Sequence, residues 1–189
     1  MTDLDSTALP PAEQALPDIL VDAARRVIEA NRAVGRMVAV AESCTGGLVT
    51  AALTEIPGSS EVLDASFVTY SNEAKLELLG VSLDVLETFG AVSIAVAWAM
   101  ARGALERTRA DVAVAITGVA GPGGGSEKRP VGTVVFARAE KGGDPQEVTA
   151  DKREFGDLGR GTIRLQAALC ALDLLMPTPD AAPSAVPAP

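Results

Sequence analysis

The strongest constraint on the fold of this chain is a pair of short Val- and Ala-rich runs, MVAVAE (37–42) and DVAVAIT (111–117). Within each run the apolar residues follow one another without polar residues between them, which is typical of strands buried on both faces. Sheets of such strands are covered by helices on either side. The two runs therefore predict a sheet at the centre of an α/β protein.

Helical patterns separate the early strands, whereas two strands follow each other late in the chain. An amphipathic pattern predicts a first helix over 18–33, and a second apolar pattern predicts a last helix over about 160–176. Three serines, each placed to cap a helix, mark further helix starts: Ser71, Ser82 and Ser93. Additional strands are predicted at the end of 61–70, over 131–139 and over 146–155.

This order of elements predicts a three-layer α/β/α sandwich on a mixed, mostly parallel sheet of about five strands. The last two strands form an antiparallel pair toward one side of the sheet. Ligands of such sheets bind where strands end and loops lead into helices. Three polar loops lie at such ends: 43–47, 70–75 and 117–128.

Composition divides the chain into one domain and two tails. Residues 18–176 form one uninterrupted domain, whereas 1–17 and the Pro- and Ala-rich segment 177–189 are predicted to be flexible. The N-terminus lacks the basic start and apolar run of a signal peptide, and no apolar stretch approaches the roughly 20 residues of a membrane span. We therefore expect a cytoplasmic protein that does not bind membranes.

The absence of histidine and the acidic charge exclude several classes of function. Without histidine there is no imidazole base or ligand, and the two cysteines do not have the spacing of a zinc site. We therefore expect no metal and no cofactor. A net charge of −9 and only 3% aromatic residues argue against nucleic acid as a partner.

The loop Ser-Cys-Thr-Gly-Gly (43–47) follows the first buried strand and offers a candidate nucleophile, Ser43. Backbone N–H groups of residues 45–47 at the start of the next helix would stabilise an oxyanion there. Cys44 is a rival nucleophile because a helix N-terminus can lower the pKa of a thiol. A purely structural alternative is that Ser43 or Thr45 caps the helix.

The segment Tyr-Ser-Asn-Glu-Ala-Lys (70–75) offers a base that could replace histidine. A desolvated lysine can act as a base because burial lowers its pKa, so Lys75 is the candidate, with Tyr70 as a proton relay or substrate contact. The residues alone leave two alternatives open. Ser71 could be the nucleophile, and Lys75 could be a solvated partner of Glu73 or Glu77.

A glycine-rich loop and two arginines complete the candidate set. The run 117–125, TGVAGPGGG, could wrap a phosphate with backbone N–H groups, or could be a plain flexible loop. Arg160 and Arg164 lie four residues apart on the last helix and could reach a phosphate or carboxylate. Alternatively, they form a solvated face that pairs with Asp157.

Several stretches in order resemble the CinA C-terminal domain family, whose enzymatic members are nicotinamide mononucleotide deamidases. The stretches are AESCTGG, FVTYSNEAK, GAVS, TGVAGPGGGSEKRPVGTV and the final R-x-x-x-R, and the resemblance covers about residues 18–176. It implies an α/β/α fold, a homodimer and hydrolysis of the carboxamide of nicotinamide mononucleotide to nicotinate mononucleotide and ammonia. It also implies that Ser43, rather than Ser71, is the nucleophile, with Lys75 and Tyr70.

We assign the remaining candidates to substrate binding. They are Cys44, Thr45, Gly46, Gly47, Ser71, Asn72, Thr117, Gly118, Gly121, Gly123, Gly124, Arg160 and Arg164.

Two departures from the family pattern stand out. The segment Gly-Asp-Leu-Gly-Arg (156–160) is two residues longer than the usual Gly-Asp-Arg, which leaves the role of Arg160 open. Many relatives also carry a further N-terminal domain, for which we expect no room here. An alternative function is a non-catalytic nucleotide-binding module linked to competence or DNA damage.

Overall fold

The computed structural model describes residues 15–144 and 147–177, and within them five strands form one sheet. The strands are β1 (Val38–Glu42), β2 (Leu63–Val68), β3 (Val112–Gly118), β4 (Thr133–Glu140) and β5 (Thr149–Glu154). Their order is β2-β1-β3-β4-β5. The pairs β2–β1 and β1–β3 are parallel, whereas β3–β4 and β4–β5 are antiparallel. All strands except β4 therefore run in one direction, which confirms the predicted mixed, mostly parallel sheet.

Helices cover both faces of this sheet, as predicted for a three-layer sandwich. They are α1 (Asp18–Ala33), α2 (Leu48–Thr54), α3 (Asn72–Leu79), α4 (Leu83–Phe89), α5 (Ile94–Glu106) and α6 (Arg160–Leu174). Helices α1, α2 and α6 pack against one another on one face. Helices α3, α4 and α5 form the other layer.

The alternation of Val and Ala in β1 and β3 distinguishes the two layers. Val38 and Val40 face α1, α2 and α6, whereas Ala39 and Ala41 face the layer that contains α5. Small side chains on that face suit a closely packed helix. Within that layer Gly103 lets α5 lie against the end of α3, because a Cβ there would lie 1.9 Å from the carbonyl oxygen of Leu79. The core is thus filled mainly by closely packed Ala, Val, Leu and Ile side chains rather than by large aromatic ones.

The predicted serine caps are confirmed. The hydroxyl groups of Ser71, Ser82 and Ser93 accept hydrogen bonds from backbone N–H groups in the first turns of α3, α4 and α5, at 3.0, 3.2 and 3.2 Å. Such bonds satisfy N–H groups that have no partner within the helix. Helix α3 ends at Gly80, whose φ of +68° suits glycine.

The described domain begins earlier than residue 18. Leu16 packs against the core, and the backbone N–H of Ala15 donates to the Glu55 carboxylate at 3.0 Å. The last residues of the predicted N-terminal tail thus contact the domain. The rest of the two predicted tails, 1–14 and 178–189, lies outside the described residues. Within the described part of the chain, every helix is too short or too polar to cross a membrane.

Candidate active site

The candidate site lies at the edge of the sheet where β1, β2 and β3 end. These strands are parallel, so the segments that follow them meet at one edge. The segments enclose a cavity of about 300 Å³. It is lined by Ser43, Cys44, Tyr70, Asn72, Lys75, Ala91, Val92, Thr117, Gly118, Val119, Ala120, Gly121, Gly123, Gly124 and Arg160. The structure thus brings together most of the predicted site residues, from all three polar loops.

Ser43 and Lys75 are in contact at the floor of this cavity. The Nζ atom of Lys75 lies 3.1 Å from Oγ of Ser43, 2.7 Å from the carbonyl oxygen of Thr69 and 3.4 Å from that of Ser71. Lys75 is only 1% exposed, so the alternative of a solvated lysine is wrong. Burial lowers the pKa of Lys75 below its ordinary value, against a weaker opposing effect of Cys44 and Glu73.

Helix α3 places Lys75 at the floor of the cavity. Ser71 caps the helix with its hydroxyl, and Lys75 follows one turn later on the inward face. The Ser71 hydroxyl thus accepts the N–H of Ala74, and Ser71 is absent from the cavity lining. This geometry disfavours Ser71 as a nucleophile and as a direct substrate contact.

A buried carboxylate, Glu42, holds the turn that carries Ser43. The N-cap of α2 is Gly47, whose φ of +90° suits glycine and which has no side chain to cap the helix. Instead, Glu42 accepts hydrogen bonds from the backbone N–H groups of Gly47, Val49 and Thr50 at 2.9, 3.2 and 2.9 Å. The alternative that Ser43 or Thr45 caps this helix is therefore wrong.

The backbone N–H groups expected to face an oxyanion are partly engaged elsewhere. The N–H of Gly46 donates to the Ser43 carbonyl oxygen at 3.1 Å, and the N–H of Gly47 donates to Glu42. Thr45, Gly46 and Gly47 do not line the cavity. This geometry disfavours the predicted oxyanion role of Gly46 and Gly47, because the tight turn uses these N–H groups to close itself.

Arg164 contacts the turn rather than the cavity. Its Nε and Nη2 atoms donate to the carbonyl oxygen of Thr45 at 3.2 and 2.7 Å. Arg164 lies one helical turn beyond Arg160 and is absent from the cavity lining, which disfavours the predicted direct contact with substrate. Arg164 instead ties α6 to the turn through the Thr45 carbonyl oxygen.

Cys44 lines the cavity but is a poor candidate nucleophile. Its side chain is 5% exposed, and burial raises the pKa of the thiol to about 12. Glu42 raises this pKa further, and two backbone N–H groups only partly offset the increase. At neutral pH Cys44 is therefore a thiol, which is far less nucleophilic than a thiolate.

The mouth of the cavity, formed by Tyr70, Arg160 and Gly121, is held by one guanidinium. Arg160 donates from Nη2 to the Tyr70 hydroxyl oxygen at 2.8 Å and from Nη1 to the Gly121 carbonyl oxygen at 2.9 Å. Tyr70 is 61% exposed. Its hydroxyl thus contacts Arg160, whereas Lys75 contacts Ser43 without an intermediary.

The cavity has a cation at its mouth although the chain is acidic. Its basic lining residues are Lys75 and Arg160, and none of its lining residues is acidic. Among the described residues, no salt bridge involves Arg160 or Lys75. In the same part of the chain, His, Cys, Asp and Glu residues form no cluster of three that could hold a metal. The cavity therefore suits an anionic ligand.

The glycine-rich segment forms one wall, and its first glycine is required by packing. A Cβ at Gly118 would lie 2.8 Å from the carbonyl oxygen of Thr133. The neighbouring Thr117 hydroxyl donates to the Ala91 carbonyl oxygen at 2.8 Å. Gly121 and Gly124 have φ values of +77° and +81°. These glycines let the backbone itself line the cavity.

Comparison with known proteins identifies the family. The model of the CinA C-terminal domain matches residues 21–178. The chain belongs to this family. The relative named nicotinamide-nucleotide amidohydrolase PncC, from Enterobacter agglomerans, is 53% identical over 143 residues, which cover 76% of this chain and 85% of the relative.

A second group of relatives is longer. A CinA-like protein of Mycobacterium marinum is 54% identical over 140 residues, which cover 74% of this chain but 32% of the relative. The chain thus spans about a third of the length of that CinA-like relative.

Solved structures of the CinA family share the fold. The competence/damage inducible protein CihA from Agrobacterium tumefaciens superposes with a TM-score of 0.81 at 50% identity, covering 86% of this chain and 96% of that one. A CinA superfamily protein from Escherichia coli gives a TM-score of 0.76 at 36% identity, covering 87% and 94%. The predicted family resemblance is confirmed.

Two site residues were not predicted in the roles that they have here. The sequence analysis places Glu42 only in a buried strand and in the stretch AESCTGG, and it assigns Arg164 to substrate binding rather than to the turn. One signal for Glu42 is present in the sequence: an acidic residue ends the buried run VAVAE, just before a turn without a capping side chain at Gly47.

Proposed function

We propose that this CinA-family protein hydrolyses the carboxamide of nicotinamide mononucleotide to nicotinate mononucleotide and ammonia. The nucleophile is Ser43 and the base is Lys75. One observation carries the proposal: the Ser43 hydroxyl lies 3.1 Å from a buried lysine amine in a cavity. The 53% identity to a relative named nicotinamide-nucleotide amidohydrolase supports the substrate.

The surroundings of Lys75 suit a neutral amine. A neutral amine has two N–H bonds and one lone pair. The carbonyl oxygens of Thr69 and Ser71 lie where they accept the two N–H bonds, at 2.7 and 3.4 Å. The lone pair then faces the Ser43 hydroxyl, which donates its proton to Nζ. Desolvation favours this neutral form because it lowers the pKa of Lys75.

The reaction proceeds in two halves. In the first, Ser43 Oγ forms a bond to the carboxamide carbon while its proton moves to Lys75. Lys75 then gives that proton to the leaving nitrogen, the C–N bond breaks and ammonia departs, leaving an ester on Ser43. In the second half, Lys75 takes a proton from water, which attacks the ester. The C–Oγ bond breaks, Ser43 regains its proton, and nicotinate mononucleotide is released.

The lining of the cavity suits a ring that carries a phosphate. Val92 and Val119 offer an apolar wall for the pyridine, and Arg160 offers an unpaired cation for the phosphate. The guanidinium currently donates to two neutral oxygens, of Tyr70 and Gly121, which an anion can outcompete. We assign phosphate binding to Arg160, and contacts to the rest of the substrate to Asn72, Thr117 and the glycine-rich wall.

We further propose that the protein acts in the cytoplasm as a homodimer and needs no cofactor. Light scattering of the purified protein tests the dimer, with a mass of one chain as the contradicting result.

Release of ammonia from nicotinamide mononucleotide tests the function directly. Purified protein in the presence of a chelator is expected to release ammonia, and the Ser43→Ala variant is expected to release almost none. Nicotinamide riboside and nicotinamide, which lack the phosphate, are expected to be poorer substrates. A thermal shift by the mononucleotide without any ammonia would instead indicate a binding module. Full activity of Ser43→Ala would overturn the assignment of the nucleophile.

A further inference from the structure

A fully buried carboxylate lies next to the nucleophile, and the proposed reaction does not use it. Glu42 is the last residue of β1 and is 0% exposed. Burial of a charged carboxylate is costly unless hydrogen bonds compensate for the lost water. Both oxygens of Glu42 are compensated by the start of α2.

The four hydrogen bonds to Glu42 divide evenly between its two oxygens. Oε2 accepts the backbone N–H groups of Gly47 and Val49, at 2.9 and 3.2 Å. Oε1 accepts the backbone N–H of Thr50 at 2.9 Å and the Thr50 hydroxyl at 2.6 Å. The carboxylate thus closes a ring from the end of β1 to the first turn of α2, and Ser43 lies within that ring.

The backbone of Glu42 reaches the base as well. Its carbonyl oxygen accepts the N–H of Thr69 at 2.8 Å, and the carbonyl oxygen of Thr69 in turn accepts from Nζ of Lys75. The two sides of the Ser43–Lys75 contact are therefore tied to one residue. Glu42 holds the nucleophile through its side chain and the base through its main chain.

We propose that Glu42 is a positioning residue that keeps Ser43 Oγ within hydrogen-bonding distance of Lys75 Nζ. This inference rests on the proposed nucleophile and base, but not on the identity of the substrate. Arg164 contacts the same turn through the Thr45 carbonyl oxygen. An error of about 1 Å in the position of a reacting group can cost about 100-fold in rate.

The variant Glu42→Gln tests this role with little change of shape. An amide has one acceptor oxygen, so its NH₂ group must face either the Gly47 and Val49 donors or the Thr50 N–H. Either orientation sets donor against donor and loosens the turn. Asp64→Asn is a matched control, because Asp64 likewise accepts a backbone N–H and a side chain, both of Arg109. Asp64 lies near the start of β2, at the end of the strand away from the site.

The readout is the rate at which a fluorophosphonate probe labels Ser43, in a double-mutant cycle with Lys75→Met. We expect Glu42→Gln to lower the labelling rate about 10- to 100-fold in the presence of Lys75. In the Lys75→Met background we expect Glu42→Gln to change the labelling rate by less than about threefold, because Ser43 then has no amine with which to be aligned. Asp64→Asn is expected to label at nearly the wild-type rate, whatever its loss of stability.

Thr50→Val is a milder second variant if Glu42→Gln does not fold, because it removes only the hydroxyl that donates to Oε1. We expect a smaller loss of labelling with the same dependence on Lys75. If Glu42→Gln lowered the labelling rate equally in the protein with Lys75 and in the Lys75→Met background, Glu42 would only stabilise the fold. That result would overturn the proposal. Absence of labelling in the wild type would overturn it together with the nucleophile.

Failure of the substrate assignment gives a different result. In that case the wild type releases no ammonia from nicotinamide mononucleotide, yet Ser43 is labelled and the cycle shows the expected coupling. This outcome supports the positioning role and rejects only the proposed substrate.

Discussion

The floor and the mouth of the cavity are held in very different ways. At the floor, Ser43 and Lys75 are almost inaccessible to solvent. Lys75 donates to the Thr69 carbonyl oxygen, and hydrogen bonds from the start of α2 to Glu42 close the turn that carries Ser43. At the mouth, an exposed Tyr70 and the carbonyl oxygen of Gly121 are joined by a single side chain, Arg160. Rigidity is thus concentrated where bonds would be made and broken.

This difference implies a division of labour. A buried, pre-organised pair can transfer a proton without rearrangement of solvent, whereas an exposed guanidinium can exchange neutral partners for an incoming anion. Changes at the floor should therefore reduce kcat, and changes at the mouth should raise KM.

Removal of the nucleophile should have the largest effect. We expect Ser43→Ala to lower kcat for nicotinamide mononucleotide by about 10⁴- to 10⁶-fold, because the covalent route is lost. Steady-state ammonia release measures the loss. Ser82→Ala is the control, since Ser82 caps α4 away from the cavity and should leave kcat unchanged. More than a tenth of the activity remaining in Ser43→Ala would refute the covalent route.

Removal of the base should have the second largest effect. We expect Lys75→Met to lower kcat by about 10²- to 10⁴-fold, the usual contribution of a general base. Lys75→Arg should not restore activity, because a guanidinium stays charged. Equal activity of the lysine and arginine proteins would contradict the proposed base.

The pH profile gives an independent test of Lys75. The amine must be neutral to accept a proton, so kcat/KM should rise with pH through the pKa of Lys75 and fall as pH decreases below it. Because burial lowers this pKa, the rise should occur below the pH at which a free lysine titrates. Lys75→Met should abolish that limb of the profile. A limb unchanged in Lys75→Met would assign it to another group.

Two arginines one helical turn apart offer the sharpest comparison of mouth and floor. We expect Arg160→Gln to raise KM for the mononucleotide about 10- to 100-fold with little change in kcat, since it removes a charge-assisted hydrogen bond to phosphate. Arg164→Gln should instead lower kcat with little change in KM, because Arg164 holds the Thr45 carbonyl oxygen of the turn that carries Ser43. With nicotinamide riboside, the KM should not respond to Arg160→Gln. A loss of kcat in Arg160→Gln equal to that in Arg164→Gln would erase the proposed distinction.

The smallest effect is expected at Cys44. Because its thiol has a pKa of about 12, we expect Cys44→Ala to lower kcat/KM by less than about tenfold, through packing alone. Iodoacetamide at pH near 8 should modify the more exposed Cys170 before Cys44, as peptide mass mapping can show. A larger loss than that of Ser43→Ala would transfer the nucleophile to the thiol.

Local patterns were sufficient to predict most of the fold. Short Val- and Ala-rich runs became β1 and β3, and the serines expected at helix starts cap α3, α4 and α5. These features depend on contacts within a few residues, which the sequence displays directly. The meeting of the three polar loops also followed from the rule that parallel strands end at the same edge.

The support of the site could not be predicted in the same way. The contact between Arg164 and Thr45 joins residues 119 positions apart, and it exists only because α6 packs against α2. Glu42 lies close to its partners in the chain, but its role depends on a carboxylate replacing the usual serine cap of a helix. The same feature disfavours the oxyanion prediction for Gly46 and Gly47, since their N–H groups donate to Ser43 and Glu42 within the turn.

The covalent intermediate is the most direct test of the central proposal, that Ser43 is acylated with the help of Lys75. Protein mixed with nicotinamide mononucleotide and quenched rapidly in acid should carry an added mass equal to the substrate less ammonia. Peptide sequencing should place the ester on Ser43, and Lys75→Met should form it far more slowly. Turnover with the adduct on Cys44, or undiminished turnover in Ser43→Ala with no adduct at all, would contradict the account.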